Sequence, residues 1–287
     1  MQSRPRIVLT LACPDVAGLV SAVTTFLFQS GAFVVESADY GDPDTGLFFM
    51  RTVFRGDDDT DLSLEVLRGA FAALARRFNM DWSMEPAERK MPTVIAVSKF
   101  GHCLHDLLHR WQSGLLPIDI KAVVSNHDDM RRIVEWYGLP YHHLPVTAAT
   151  KADQEAQFIK VVDDSAAELV VLARYMQILS EDLVSKLSGR CINIHHSFLP
   201  SFKGAKPYHQ AHARGVKIIG ATAHYVTEDL DEGPIIEQSV ERVDHRARPE
   251  DLVVMGQDIE TVVLARAVAW HAQRRVLMNG RRTIILR

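Results

Sequence analysis

The sequence is poor in the features that mark secreted, membrane-spanning and nucleic-acid-binding proteins. Its 287 residues include three cysteines, Cys13, Cys103 and Cys191, which are far apart and odd in number. They predict no disulfide framework, indicate the reducing cytoplasm and are expected to pack as small buried hydrophobes. No apolar run approaches the ~18 residues of a spanning helix. The 32 Lys and Arg against 36 Asp and Glu predict no general attraction to nucleic acid or membrane.

The remaining composition is that of a globular protein large enough for two domains. Hydrophobic residues make up 47% and charged residues 24% of the chain. Residues 1–85 predict a ferredoxin-like βαββαβ domain, and the polar residues 86–92 predict a linker. Residues 93–287 alternate continuous apolar strands with helices, which indicates an α/β domain with a Rossmann-like parallel sheet covered on both faces.

Three local features carry expectations about the chain ends. Asp15 is placed to cap a first helix over residues 17–30. A long helix is expected to start at Pro249. The basic residues after that helix are expected to form a solvated terminal face: Arg274, Arg275, Arg281, Arg282 and Arg287.

The densest group of reactive side chains follows a strand of the predicted parallel sheet. Asn193 and His195 are two residues apart, so on a strand they project to the same face. An amide and an imidazole that point together can hold a carbonyl oxygen as it becomes an oxyanion. The acidic loop 229–234 could bring a carboxylate beside His195 to relay a proton. From spacing alone, a structural role in binding loop backbone stays equally open.

Three segments resemble the signature of the folate-dependent formyltransferase family, over about residues 92–287. They are Asn-x-His in residues 193–204, Gly-x-Thr-x-His-x-Val in residues 220–226 and Asp-x-Gly in residues 231–235. The resemblance implies that Asn193, His195 and Asp231 are catalytic. It also implies that His224, together with Thr222, positions Asp231.

The same resemblance implies a folate pocket. Residues 174–179 resemble the family loop that lines the pteridine pocket, and residues 226–230 would contribute backbone to it. The reaction would need no metal and no cofactor, since 10-formyltetrahydrofolate is itself the substrate. The expected folate-binding residues are Arg174, Met176, Ile178, Leu179, Val226 and Leu230.

Two departures from the family pattern resemble one branch of it, the formyltetrahydrofolate deformylases. His196 stands where most members have proline, and the turn Ser98–Leu104 keeps one glycine beside Phe100 and His102. The branch implies hydrolysis of 10-formyltetrahydrofolate to formate and tetrahydrofolate, which balances the one-carbon pool and supplies formate for purine synthesis. The alternatives are a formyltransferase with an amine acceptor and a catalytically silent amino-acid sensor.

The N-terminal domain resembles the ACT family in its element order and in its first loop, Pro14–Leu19. The resemblance implies a small amino-acid effector, such as glycine or methionine, near Asp15 and Gly18. It also implies a homodimer or a homotetramer. A ferredoxin-like domain used only for oligomerisation is the alternative.

Three histidines at helical spacing raise the question of a metal site. His102, His105 and His109 could line one face of a helix, but Asp106 lies on another face. We therefore expect no metal at this helix.

Overall fold

The computed structural model describes residues 4–58, 60–199 and 207–287. The chain divides into two compact units, of which one comprises Met1–Arg89 with Gln273–Arg287 and the other Lys90–Ala272. The sequence predicts residues 273–287 as part of the C-terminal domain. The structure groups them with the N-terminal unit instead.

The first unit contains a four-stranded antiparallel sheet with two helices. The strand order is β2–β3–β1–β4, and every neighbouring pair is antiparallel. This is the ferredoxin-like arrangement that the sequence predicts. Its elements are β1 Arg6–Pro14, α1 Leu19–Gln29, β2 Ala32–Asp42, β3 Leu47–Gly56, α2 Leu64–Arg77 and β4 Asp81–Pro86.

Aromatic packing joins the helices of this unit to its sheet. The ring of Phe71 on α2 lies 5.2 Å from that of Phe26 on α1 and 4.9 Å from that of Trp82 on β4, both edge to face. Such pairs add specific geometry to the burial of a large apolar area. Trp82 thus packs against the core of this unit.

Helix α1 begins differently from the prediction. Its N-cap is Gly18, at φ 91°, and no side chain caps the helix. Asp15 is therefore not the cap. The left-handed backbone at residue 18 favours glycine, because a side chain there would be strained.

The C-terminal residues belong to the first unit, where acidic groups of β2 bind them. After the long helix the chain forms a hairpin with strands Val276–Asn279 and Arg282–Ile285. Arg275 Nη1 donates to Glu36 at 2.8 Å, and Arg282 Nη2 lies 3.0 Å from Asp42. The expectation of a solvated basic face is thus wrong for Arg275, whose side chain is 18% exposed, whereas Arg282 stays exposed although it pairs with Asp42. Their partners are more than 230 residues away in the sequence, so no local pattern reveals them.

The second unit contains a seven-stranded mixed sheet. The strand order from one edge to the other is β11–β10–β9–β8–β5–β6–β7. The five strands β9, β8, β5, β6 and β7 are parallel to one another, whereas β10 is antiparallel to both of its neighbours, β9 and β11. The strands are β5 Met91–Val97, β6 Ile118–Ser125, β7 Tyr141–His143, β8 Leu169–Leu172, β9 Cys191–His195, β10 Ile218–Tyr225 and β11 Ile235–Arg242.

Helices cover this sheet and complete the α/β fold that the sequence predicts. Both β8 and nearly all of β5 are buried, as expected for central strands covered on two faces. The three cysteines of the chain are free and buried, as expected. No helix in the described ranges has the length and apolar character needed to cross a membrane. The helices are α3 His102–Gln112, α4 Arg131–Trp136, α5 Lys151–Asp164, α6 Glu181–Lys186, α7 Pro207–Ala213 and α8 Pro249–Ala272.

Candidate active site

The candidate site lies where β9 and β10 run side by side. Asn193 on β9 is directly opposite His224 on β10, and His195 is opposite Thr222. Asn193, His195 and His224 all line one cavity. The strand spacing predicted this common face for Asn193 and His195, and the antiparallel neighbour adds His224 to it.

Asp231 completes the group from the loop after β10. Its Oδ2 lies 3.2 Å from Nδ1 of His195, and its Oδ1 lies 3.6 Å from Nε2 of His224. Asn193 Nδ2 is 3.3 Å from the same Nε2, while Nδ1 of His224 donates to the carbonyl of Tyr225 at 2.9 Å. The structure therefore brings Asn193, His195, His224 and Asp231 into one group of polar side chains, joined by contacts of 3.2 to 3.6 Å.

The backbone of the loop is shaped to deliver this carboxylate. Asp231 has φ 58°, in the left-handed region that non-glycine residues adopt rarely and often at functional sites. Two residues later, a Cβ at Gly233 would collide with the carbonyl oxygen of Tyr225. Tyr225 also donates its amide to Pro234 at 2.9 Å. Glycine at 233 thus lets the loop close onto the end of β10.

Asp231 is held in its ionised form. Burial by itself would raise the pKa of Asp231, but hydrogen bonds from His195 and His224 outweigh burial and hold the pKa well below its ordinary value. Nε2 of His195 is buried and has no hydrogen-bond partner among the described residues, so it is available to a bound ligand.

A cavity of about 320 Å³ opens beside this group. That volume is within the usual range for small-molecule sites. Three of its lining side chains, Met176, Ile178 and Leu230, are large hydrophobes that are more than half exposed. Exposed apolar side chains around a cavity indicate a site for a ligand with an apolar face. All six residues predicted to bind folate line it: Arg174, Met176, Ile178, Leu179, Val226 and Leu230.

A buried pair that the sequence analysis missed holds one wall of this cavity. Ser98 Oγ donates to Asn126 Oδ1 at 2.7 Å and accepts from the amide of Met176 at 2.9 Å. This pair ties the loop of residues 174–179 to the ends of β5 and β6. The two residues are 28 positions apart, so only the parallel pairing of their strands brings them together.

Two predicted site residues have contacts other than those expected. The Thr222 hydroxyl donates to the carbonyl of Ser197 at 2.9 Å and accepts from the amide of Leu199 at 3.2 Å. Thr222 therefore holds the loop after His195, and its role in positioning Asp231 stays a prediction. Arg174 lines the cavity, but its guanidinium lies 3.4 Å from Glu260 and 2.6 Å from Nδ1 of His196.

The predicted effector residues belong to the first unit, and nothing in their contacts there assigns them a ligand. Asp15 donates its amide to Gly46 at 2.8 Å, and its carboxylate lies against Gly41. Gly18 caps α1, and its Cα faces open space. Their role as an effector site stays a prediction.

One group in the described part of the chain has the composition of a metal site, although it differs from the three histidines considered above. His102, Cys103 and Glu260 hold potential ligand atoms within 4.8 Å of one another. However, burial and the charge of Glu260 raise the pKa of the Cys103 thiol well above its ordinary value. Both carboxylate oxygens of Glu260 already accept hydrogen bonds, and Arg174 lies beside them. We interpret the group as an ion-pair network.

Comparison with known proteins defines the class first. Residues 91–268 match the family model described as formyl transferase. A solved structure of glycinamide ribonucleotide transformylase 1 from Symbiobacterium toebii has a TM-score of 0.65 and 28% identity. It covers 69% of this chain and 95% of its own. The C-terminal unit therefore has the formyltransferase fold.

Full-length relatives give the narrower assignment. A formyltetrahydrofolate deformylase from Corynebacterium sp. (strain P-1) is 53% identical over 287 residues, which are 100% of both chains. The crystal structure of the deformylase from Burkholderia mallei has a TM-score of 0.94 at 53% identity and covers 99% of this chain and 100% of its own. This chain belongs to the formyltetrahydrofolate deformylase family.

Proposed function

We propose that the protein hydrolyses 10-formyltetrahydrofolate to formate and tetrahydrofolate. The observation that carries this proposal is the ionised Asp231 bound to His195, beside Asn193, at the end of a cavity lined by exposed hydrophobes. The full-length relatives bear the name of this activity. The substrate class is thus inferred from the related deformylases, and the chemistry is inferred from the geometry of the site.

The cavity would receive the flat pteridine ring between its apolar side chains. Met176, Ile178 and Leu230 line the cavity with apolar surface, and backbone groups of residues 226–230 would bind the ring edges. Binding there places the formyl group of N10 at the end of the cavity that Asn193 and His195 line. Folate is thus the substrate, and we propose no further cofactor.

Hydrolysis follows from the charges in this group. The oxygen of water attacks the formyl carbon, and the carbonyl oxygen becomes negative. Asn193 Nδ2 donates to that oxygen, and His195, either protonated or sharing a proton with Asp231, stabilises its charge. Asp231 orders the water, accepts its proton and passes that proton to N10 as the C–N10 bond breaks. N10 is an aniline-type nitrogen, so the amide is activated and no covalent enzyme intermediate is needed.

The test is incubation with 10-formyltetrahydrofolate and no added acceptor, with formate and tetrahydrofolate measured together. Equal release of both products, abolished in Asp231→Asn, supports hydrolysis. Release only after an amine is added identifies a transferase. Binding of a small amino acid without any turnover identifies a sensor. Each of the last two results contradicts the proposal.

The proposed physiological role is to balance the one-carbon pool and to supply formate for purine synthesis. The free, buried cysteines support a cytoplasmic location, since reducing compartments keep thiols unpaired. Growth of a strain that lacks this gene, with and without added formate or purine, tests the role. Rescue by neither supplement would contradict it.

The ferredoxin-like unit is proposed to join copies of the chain into a homodimer or a homotetramer. Its edge strand β2 exposes Phe33, Val34, Val35 and Tyr40, and a long apolar edge strand favours pairing with another chain. Light scattering tests the assembly, and a monomer at all concentrations would contradict it. Calorimetry with glycine and methionine, using Asp15→Ala as a comparison, tests the effector site proposed at Asp15 and Gly18.

A further inference from the structure

A buried carboxylate lies beside the candidate site but has no part in the mechanism above. The side chain of Glu260 on α8 is 1% exposed; its Oε2 accepts from Nε2 of His102 at 2.8 Å and its Oε1 from Tyr208 at 2.9 Å. Burial alone would raise the pKa of Glu260, but the hydrogen bond from His102 and the charge of Arg174 outweigh it and lower the pKa. Glu260 is therefore ionised, and a buried ion holds its partners firmly because losing them leaves it unpaired.

Helix α8 is built to accept this arrangement. Gly256 lies four residues before Glu260, on the same helix face. A Cβ at residue 256 would collide with the ring and the hydroxyl of Tyr208. Glycine thus lets the Tyr208 ring cross the helix, so that its hydroxyl reaches Glu260.

Arg174 connects this carboxylate to the residue next to His195. Its Nε lies 3.4 Å from Oε2 of Glu260, and its Nη1 donates to Nδ1 of His196 at 2.6 Å. A guanidinium has donors and no acceptor. Nδ1 of His196 must therefore accept, and the neutral ring carries its proton on Nε2.

The two adjacent histidines have opposite surroundings. Their rings stack with centroids 4.9 Å apart, and both line the cavity. Asp231 faces His195, whereas Arg174 faces His196. Burial first, and then the charge of Arg174, lower the pKa of His196 to about 4. His196 therefore stays neutral near pH 7, with a fixed donor at Nε2.

We propose that His196 holds the attacking water through its Nε2–H, and that Glu260 is a positioning residue that fixes this tautomer through Arg174. The inference rests on the hydrolysis proposed above. One lone pair of the water oxygen forms the new bond to the formyl carbon, and the other accepts from His196. The water proton goes to Asp231 and then to N10, so His196 neither gains nor loses a proton.

The first experiment measures how the formyl group divides between water and hydroxylamine, a competing acceptor. Water yields formate and hydroxylamine yields formylhydroxylamine, with tetrahydrofolate leaving in both reactions. In His196→Ala we expect formate release to fall about 100-fold, the size of effect that a misplaced reactant gives, while transfer to hydroxylamine falls far less. An equal fall of both reactions indicates a merely structural role and overturns the proposal.

The wild-type protein separates this inference from the proposed function. If it releases no formate at all, hydrolysis itself is contradicted. If it releases formate and His196→Ala does so at the same rate, hydrolysis stands and only the role of His196 is overturned.

Chemical rescue of His196→Ala tests the donor directly. Imidazole and 1-methylimidazole can each fill the space and accept from Arg174, but only imidazole has an N–H to donate to water. We expect imidazole to restore formate release and 1-methylimidazole to leave it low. Equal rescue by both compounds, or rescue by neither, overturns the assignment of Nε2–H.

Glu260→Gln tests the positioning role. It keeps the shape of the side chain and removes the charge that binds Arg174, so we expect a lower kcat, a nearly unchanged KM and a division shifted towards hydroxylamine. The control is Glu155→Gln, which alters another buried glutamate of the same unit, bound to the amide of Ser180 at 2.9 Å. We expect the control to keep the wild-type division.

A second variant covers the case in which Glu260→Gln does not fold. Arg174→Lys keeps a cation beside Glu260, but one ammonium group cannot bind Glu260 and His196 with the geometry of a guanidinium. We expect the same shift towards hydroxylamine. A wild-type division in either folded variant overturns the positioning role of Glu260.

Discussion

Asp231 and Glu260 are both carboxylates that bind histidines beside one cavity, yet their surroundings differ. The side chain of Asp231 is 22% exposed on a loop, and its histidine partner His195 keeps a free Nε2. Glu260 is buried in the middle of a helix, and Tyr208, His102 and Arg174 occupy its oxygens. A carboxylate whose partners keep an open position can act on a ligand, whereas one whose oxygens are occupied can act only through its partners.

The elements that carry the two carboxylates match this difference. The loop of Asp231 closes on β10 through one glycine and one left-handed residue, which aim the carboxylate at the cavity. Helix α8 instead holds Glu260 rigidly against three other elements. We therefore expect substitution of Asp231 to affect the rate above all, and substitution of Glu260 to affect stability as well as the rate of hydrolysis.

The largest expected effect is on catalysis in Asp231→Asn. The amide cannot take the proton of water, so kcat should fall by about 10²–10⁴ or more, the usual contribution of a general acid–base group. Folate binding, measured by fluorescence titration, should change little. A variant that keeps most of the wild-type kcat would show that Asp231 is not the acid–base group.

The second effect is on the folding of Glu260→Gln. Removing one partner of a buried ion pair leaves Arg174 uncompensated and costs about 3 kcal/mol of the free energy of unfolding. Asp231→Asn, which removes a more exposed carboxylate, should cost less. Urea unfolding of both variants measures the difference. Equal stability of the two variants would contradict a larger contribution of Glu260 to the free energy of unfolding.

The third effect is a pH dependence of stability that belongs to His196. Its pKa is lowered from 6.5 to about 4, so between these values the folded protein binds fewer protons than the unfolded chain. The stabilisation is complete above pH 6.5 and is lost as the pH falls towards 4. Arg174, His195, Tyr208, Glu260 and Asp231 surround the ring.

The variant His196→Asn makes this effect measurable. The Asn amide does not titrate in this range. Between pH 6.5 and 4, the free energy of unfolding of the variant should therefore fall by roughly 2 kcal/mol less than that of the wild type, which is the size expected for such a pKa shift at a partly exposed ring. Urea unfolding at several pH values checks this. Parallel curves for the two proteins would refute the lowered pKa.

The smallest expected effect is that of Tyr208→Phe. It removes one hydrogen bond to Glu260 but leaves His102 and Arg174 in place, so the free energy of unfolding should fall by about 1 kcal/mol. The division of the formyl group between water and hydroxylamine should stay near the wild-type value. If this division shifted towards hydroxylamine as far as in Glu260→Gln, Tyr208 rather than Arg174 would link Glu260 to the site.

Most of the fold could be predicted from local sequence patterns. Apolar runs such as that of β8 and the hairpin formed by β2 and β3 were readable because their periodicity and turn residues lie within a few positions of one another. The predicted start of α1 was wrong because Asp15 is a residue type that often caps helices. In the structure the N-cap is Gly18, with left-handed backbone. The ion pair of Arg275 could not be predicted from local sequence, because its partner Glu36 is 239 residues away in the chain.

The candidate site shows the same division between what chain order reveals and what folding adds. Asn193 and His195 share a face because residues two apart on a strand do so, and short motifs that resemble a known family pointed to Asp231 and to the loop of residues 174–179. The group around Glu260 has no such motif, since a lone glutamate in a helix reads as a surface residue. Its ionisation, the tautomer of His196 and the contacts of Thr222 exist only after distant elements pack together, because burial and pairing of charges are properties of the folded protein.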